Sequence, residues 1–285
     1  MHTFTQLVRM KVFYFLGVFA LILLASNLFN IQSLDRPDLE GVDVLRSIRS
    51  WSLGTMTLFS VVLGIVATAL LLPKDVEDRT LYTILAKPVP RLDYLVGKLG
   101  GVLLLLFASL LVMDLLMTGV LAIRSHLIVE AQEASALKAG WPKDQIEAMQ
   151  QGTLRQGATW DLQGAVLLVF LRSVVVSSTA LMLSIISTST LFTTITGFIV
   201  YFMGNFHKIV RETYFEGHGT GPLERFAGLV IAAIFPNFEI YNPVDEVIAG
   251  QVLTSADLAG PLGMTAFYLV LHVFVSWLMF SKKEF

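Results

Sequence analysis

The chain has 285 residues, 55% of them hydrophobic and 15% charged, with a formal net charge of −2 and a mean hydropathy of +0.71. A soluble globular domain carries about 25% charged residues, so this balance excludes an ordinary soluble domain and points to a polytopic membrane protein. Near-neutrality argues against nucleic acid as a partner. The absence of cysteine excludes disulfides, thiolate metal sites and cysteine nucleophiles.

Arg9 and Lys11 precede an apolar run from Val12. The run is longer than the roughly 7–15 residues of a cleavable signal's core, so it is expected to be a retained first helix. Crossing the hydrocarbon core takes about 20 mostly apolar residues. On that basis six spans are predicted, at about residues 12–31, 51–72, 99–123, 162–186, 188–206 and 262–280. The stretch Phe226–Phe235 is too short to span and stops at Pro236, which suggests an interfacial or re-entrant piece before the last span. Lys and Arg flank cytoplasmic ends more densely. They crowd the N-terminal tail, the segment 73–98 and the C-terminal Lys282-Lys283, and are sparser in the other loops. The expected fold is therefore all-α with six transmembrane helices, both termini in the cytoplasm, and segment 73–98 on the same side.

The loop 124–161 is rich in Ala and Glu, which favour helix, and is expected to form an external helical cap. Trp141-Pro142 should divide it, with Pro at the start of a second short helix. The spans show no internal repeat, which leaves an inverted-repeat secondary transporter unsupported.

Segment 73–98 is the most patterned polar stretch. Asp75, Glu77 and Asp78 lie where acidic groups complement a helix dipole. Leu81, Ile84 and Leu85 follow at helical spacing, and Lys87-Pro88-Val89-Pro90 ends that helix. Leu92, Leu95 and Val96 resume, and Gly97-Lys98 leads into the third span. The residues alone fit two readings equally well. One is a helix that touches a partner; the other is an interfacial helix that anchors the loop among lipid headgroups.

Further features concern the membrane interior and the outer loop after the fifth span. Asp114 and Arg172 are ionisable groups within spans, costly unless paired or hydrated. If spans three and four end level with each other, both lie roughly 14 Å deep at 1.5 Å per residue, and an intramembrane Asp114–Arg172 ion pair is predicted. Spans four and five are rich in Ser and Thr, and Gly54, Gly64 and Gly197 interrupt their own spans; close helix packing explains these better than a substrate lining. His207, His218 and Glu216 have no distinctive ligand spacing, so no metal site is expected. His272 reads as a hydrogen-bonded interior residue, and no catalytic arrangement is visible.

The pattern Glu77-x-x-Thr80-Leu81, Leu85-x-Lys87-Pro88-x-x-Arg91 and Tyr94-x-x-Gly97-Lys98 resembles the signature of ABC-2-type transporter permeases. It is most similar to the subgroup of permeases from nitrous-oxide-reductase maturation and gliding-motility systems. Leu7-x-Arg9-x-Lys11-Val12-Phe13-Tyr14 resembles that family's lead-in to its first span. Pro236-Asn237-Phe238-Glu239 with Asn242, and the ending Phe280-Ser281-Lys282-Lys283-Glu284-Phe285, also resemble family segments. The extended loop 124–161 departs from the shortest members.

The resemblance implies a multi-pass permease subunit of the bacterial cytoplasmic (inner) membrane, working as a homodimer or pseudo-symmetric heterodimer among membrane lipids. It also implies a coupling helix that docks on a separate cytoplasmic ATP-binding subunit. Glu77, Asp78, Arg79 and Thr80 would make polar contacts there, with Leu81 and Leu85 in its groove; Lys87, Pro88, Arg91, Gly97 and Lys98 complete the motif. The chain has no phosphate-binding loop, since Gly97-Lys98 lacks both the upstream glycine and the following hydroxyl residue. No cofactor is therefore expected in this chain: ATP and Mg would be bound and hydrolysed by the partner. An alternative keeps that partner but replaces transport with mechanical transmission to a periplasmic protein docked on the outer cap.

Overall fold

The computed structural model describes Tyr14, Gly17, Val18, Ile22 and residues 40–77, 90–187, 189–206, 221 and 235–282. Among the described residues the regular structure is all helical. In chain order it comprises α1 (Glu40–Glu77), α2 (Arg91–Lys138), α3 (Lys143–Arg155), α4 (Trp160–Ile186), α5 (Thr190–Asn205), a 3-10 turn (Phe238–Tyr241), α6 (Pro243–Ile248) and α7 (Ser255–Lys282). Four described segments are long and apolar enough to cross a membrane: one each in α1, α2, the α3–α4 stretch and α7. α5 has 16 residues, about 24 Å at 1.5 Å per residue, shorter than a hydrocarbon core of about 30 Å. The expected first span, 12–31, and Phe226–Phe235 lie largely outside the described residues.

Two helices run well past their apolar stretches. α1 starts at Glu40 instead of near Trp51, because Leu45, Ile48 and Arg49 recur at helical spacing and bury one face. α2 continues from Ile123 to Lys138 through residues with good helix propensity. It ends where Gly140 takes φ +71. There Trp141 N–H bonds Ala136 O at 3.0 Å and Gly140 N–H bonds Leu137 O at 3.2 Å, the paired C-terminal closure that needs a left-handed residue. Pro142 then caps α3, which folds back along α2. Thr153 donates to Gln132 Oε1 at 2.9 Å and Gln150 to Glu133 Oε2 at 3.3 Å. This α2–α3 hairpin stands at one end of the bundle; the start of α2 and the end of α7 mark the other.

α4 is the central helix, buried along its length and packed against α1, α2, α5 and α7. Four of its five hydroxyls return to their own helix: Ser173 donates to Phe170 O at 2.7 Å, Ser178 and Thr179 to Val175 O at 2.8 Å, and Ser184 to Leu181 O at 2.7 Å, while Ser177 Oγ is buried without a partner among the described residues. Satisfied in this way, small polar side chains can be buried and still let helices approach closely. A Cβ at Gly64 of α1 would stand 2.6 Å from Ser177 Oγ, and one at Gly197 of α5 would stand 2.9 Å from Ile65 Cγ2. Gly54 does not share this role, since its Cβ direction meets nothing within 4 Å. His272 of α7 is buried with Ser178 Oγ 2.9 Å from its Nδ1, so it is an interior hydrogen-bonded residue.

Candidate functional site

The segment that the sequence singles out for partner contact is framed by two helices. Glu77 closes α1 and Arg91 opens α2. Asp78, Arg79, Thr80, Leu81, Leu85, Lys87 and Pro88 lie outside the described residues. Arg91 is tied to the far end of the chain, donating to Phe280 O at 2.9 Å and Ser281 O at 2.8 Å. A cation at a helix C-terminus is favourably placed against the helix dipole. Tyr94 stacks on Phe280 with ring centroids 5.8 Å apart, so the re-entry of α2 and the exit of α7 form one packed unit. Lys98, placed in the contact motif by the sequence, is buried with its Nζ 5.7 Å from the Tyr94 ring centroid. It therefore belongs to this packing and not to an open surface. Gly97 lies on an exposed face, with nothing within 4 Å of an added Cβ.

Asp114 and Arg172 do not pair. Asp114 Oδ1 accepts from Gln163 Nε2 at 3.2 Å and from Thr118 Oγ1 at 3.4 Å. Arg172 donates through Nη2 to Phe238 O at 3.1 Å and Asn242 Oδ1 at 3.2 Å, with its guanidinium carbon 5.9 Å from the Tyr241 ring centroid. Gln163 and Arg172 are nine residues apart on α4, about 14 Å along the axis. The pairing expectation fails on register. It set Ile123 level with Leu162, whereas Asp114 lies level with Gln163 and α2 continues beyond. Arg172 instead anchors the turn Phe238–Tyr241, which the sequence marked only as a family-like segment.

That turn, together with α1, α5 and α6, lines a half-open cavity of about 590 Å³. Leu53, Leu58 and Val61 of α1 and Phe198 and Phe202 of α5 form its apolar walls, and Arg172, Tyr241 and Asn242 its polar floor. Gly54 lines it, which accounts for the open space at that glycine. Gly204 lets α5 meet the turn: a Cβ there would overlap Phe238 and Pro236 O.

A second constellation escapes the sequence. Arg49 is 1% exposed, yet each guanidinium Nη is bonded. Nη1 donates to Gln156 Oε1 at 3.3 Å and Val247 O at 3.1 Å; Nη2 donates to Arg155 O at 2.9 Å, Thr159 Oγ1 at 3.2 Å and Gly157 O. One turn away Arg46 donates to Ala249 O at 3.1 Å. Two cations thus close the C-terminal ends of α3 and α6 and fasten them to α1. Gly250, at φ +86, closes α6 as Gly140 closes α2, with Gln251 N–H on Glu246 O at 3.0 Å. Arg46 and Arg49 read as loop cations because their acceptors are backbone carbonyls far away in sequence. Their i, i+3 spacing beside Leu45 and Ile48 was the available signal.

Among the described residues no group of His, Cys, Asp or Glu could hold a metal ion; His207, Glu216 and His218 lie outside them.

Residues 4–139 match the family model for ABC-2 family transporter protein. The matched range ends at the close of α2, so it takes in the framed segment, Asp114 and both cations of the α1 cluster, but not α3–α7. No curated protein matches the chain, and no solved structure does.

Proposed function

We propose that this chain is the membrane-spanning subunit of an ATP-driven ABC-2-type transporter. The observation that carries the reading is the coincidence of two ranges: the family match over residues 4–139 includes the whole Glu77–Lys98 motif. The all-helical bundle with four spanning-length apolar segments among the described residues fits a multi-pass membrane protein. Six spans, cytoplasmic termini and a second permease copy complete the proposal. So does an inner-membrane location, within the subgroup that includes nitrous-oxide-reductase maturation and gliding-motility permeases.

In this reading the ATP-binding partner holds ATP and Mg and grips the Glu77–Leu85 segment. Its motion reaches the membrane along two routes. Glu77 is the last residue of α1, and Arg91 begins α2 while bonded to the end of α7. A push on the segment therefore acts on three long helices at once. The test is purification of the tagged full chain from its native membranes. An ATP-binding protein should co-elute, and nucleotide hydrolysis by it should depend on this chain; a chain that elutes without any nucleotide-binding protein would overturn the proposal.

One observation favours mechanical transmission to a periplasmic partner as the second reading. α2 is a single 48-residue helix, about 72 Å long at 1.5 Å per residue. It runs unbroken from the coupling segment to the α2–α3 hairpin. Deleting Ala131–Gln151 while ATP hydrolysis persists would separate the two: transmission requires the hairpin, and transport through the bundle does not.

A further inference from the structure

We propose that the cavity floored by Arg172 binds an amphiphile with an anionic headgroup, the anion held by the guanidinium and the hydrocarbon by the walls of α1 and α5. A guanidinium carries five N–H donors. In Arg172 both side-chain hydrogen bonds leave from Nη2, to Phe238 O at 3.1 Å and Asn242 Oδ1 at 3.2 Å. Nε is buried with no hydrogen-bond partner. Among the described residues no carboxylate forms an ion pair with it; Asp245 lines the same cavity without reaching it. A cation on a spanning helix is costly unless something neutralises it. Among the described residues Nη1 makes no hydrogen bond either, and it is this end of the guanidinium, not the buried Nε, that suits a phosphate or carboxylate oxygen.

The rest of the cavity indicates what accompanies the anion. Leu53, Leu58, Val61, Phe198 and Phe202 offer hydrocarbon and aromatic faces, and the volume of about 590 Å³ lies in the ordinary range for ligand sites. A free inorganic anion would satisfy Arg172 and leave those walls unused. A lipid-like molecule uses both. The site stands independently of any ATP-binding partner, so its test reads binding by this chain alone, and failure would leave the coupling proposal untouched.

The experiment is a native mass spectrometry titration of the full chain in detergent with three probes: phosphatidylglycerol, diacylglycerol with the same acyl chains, and inorganic phosphate. The wild type is expected to retain phosphatidylglycerol at least about tenfold better than diacylglycerol, as the loss of charge-assisted hydrogen bonds implies. Excess phosphate should not displace it. Arg172→Gln should remove that preference. Gly54→Phe should block retention with Arg172 intact, since its side chain enters open space and the helix should keep its fold. Arg155→Gln, at an exposed cation elsewhere, should change nothing. Equal retention of the two lipids, displacement by phosphate, or wild-type retention in both cavity variants would each overturn the proposal.

Discussion

Replacing Arg49 with alanine removes the donor for five acceptors: Gln156 Oε1, Thr159 Oγ1 and the carbonyls of Arg155, Gly157 and Val247. A buried acceptor left without a donor costs about 1–3 kcal/mol. The desolvation borne by the guanidinium is relieved at the same time and offsets part of this. Summed over five acceptors and reduced by that relief, the net loss is on the order of 3–5 kcal/mol. At about 2–4 °C per kcal/mol for a domain of this order, the apparent Tm of the full chain in mild detergent should fall by about 6 °C or more. Arg49→Lys should be intermediate, because an ammonium has three donors for five acceptors. Hydrogen exchange should quicken at the amides of 246–251 before the rest of the bundle, since α6 loses its tie to α1. An Arg49→Ala chain that melts within about 1 °C of wild type, with unchanged exchange at 246–251, would refute the reasoning.

Three further outcomes follow from the same geometry. Gly64→Val should destabilise by about 1–3 kcal/mol through overpacking against Ser177, and Gly54→Val, facing open space, should cost far less; unfolding of both variants in one detergent compares them. Gly250→Ala should cost about 1–2 kcal/mol for the left-handed backbone alone, plus the displacement of Gln156, seen as a lowered Tm and faster exchange at 251–253. A double-mutant cycle on Asp114 and Arg172 should give a coupling below about 0.5 kcal/mol, whereas Asp114 with Gln163 should give about 0.5–3 kcal/mol; strong Asp114–Arg172 coupling would restore the ion pair that the structure denies.

What was readable from the chain divides by the range of the interaction. The apolar cores of α1, α2, α4 and α7 are visible because burial in hydrocarbon demands an uninterrupted run, and Ser173, Ser178, Thr179 and Ser184 of α4 fit close packing, since their acceptors lie three or four residues back. The break at Trp141-Pro142 is likewise a local event, set by Gly140 and the proline. Register between helices is not local. Asp114 and Arg172 are each conspicuous, but which residue faces which depends on how far α2 overshoots Ile123, and nothing within the apolar run reports that. Arg49 shows the same limit from the other side. Its partners are main-chain carbonyls at 155, 157 and 247, which have no signature in side-chain identity. The cavity required the Phe238–Tyr241 turn to meet α4 and α5, a contact permitted by Gly204 and held by Arg172.

The central claim is that force enters through the segment between Glu77 and Arg91 and comes from a separate ATP-binding chain. Its most direct test is the ATPase rate of the native complex reconstituted in liposomes, with Glu77→Lys and Arg79→Glu combined in this chain. The account predicts that the charge-reversed chain still folds and inserts but loses the bound ATPase or fails to stimulate it. Undiminished assembly and an unchanged rate would contradict it.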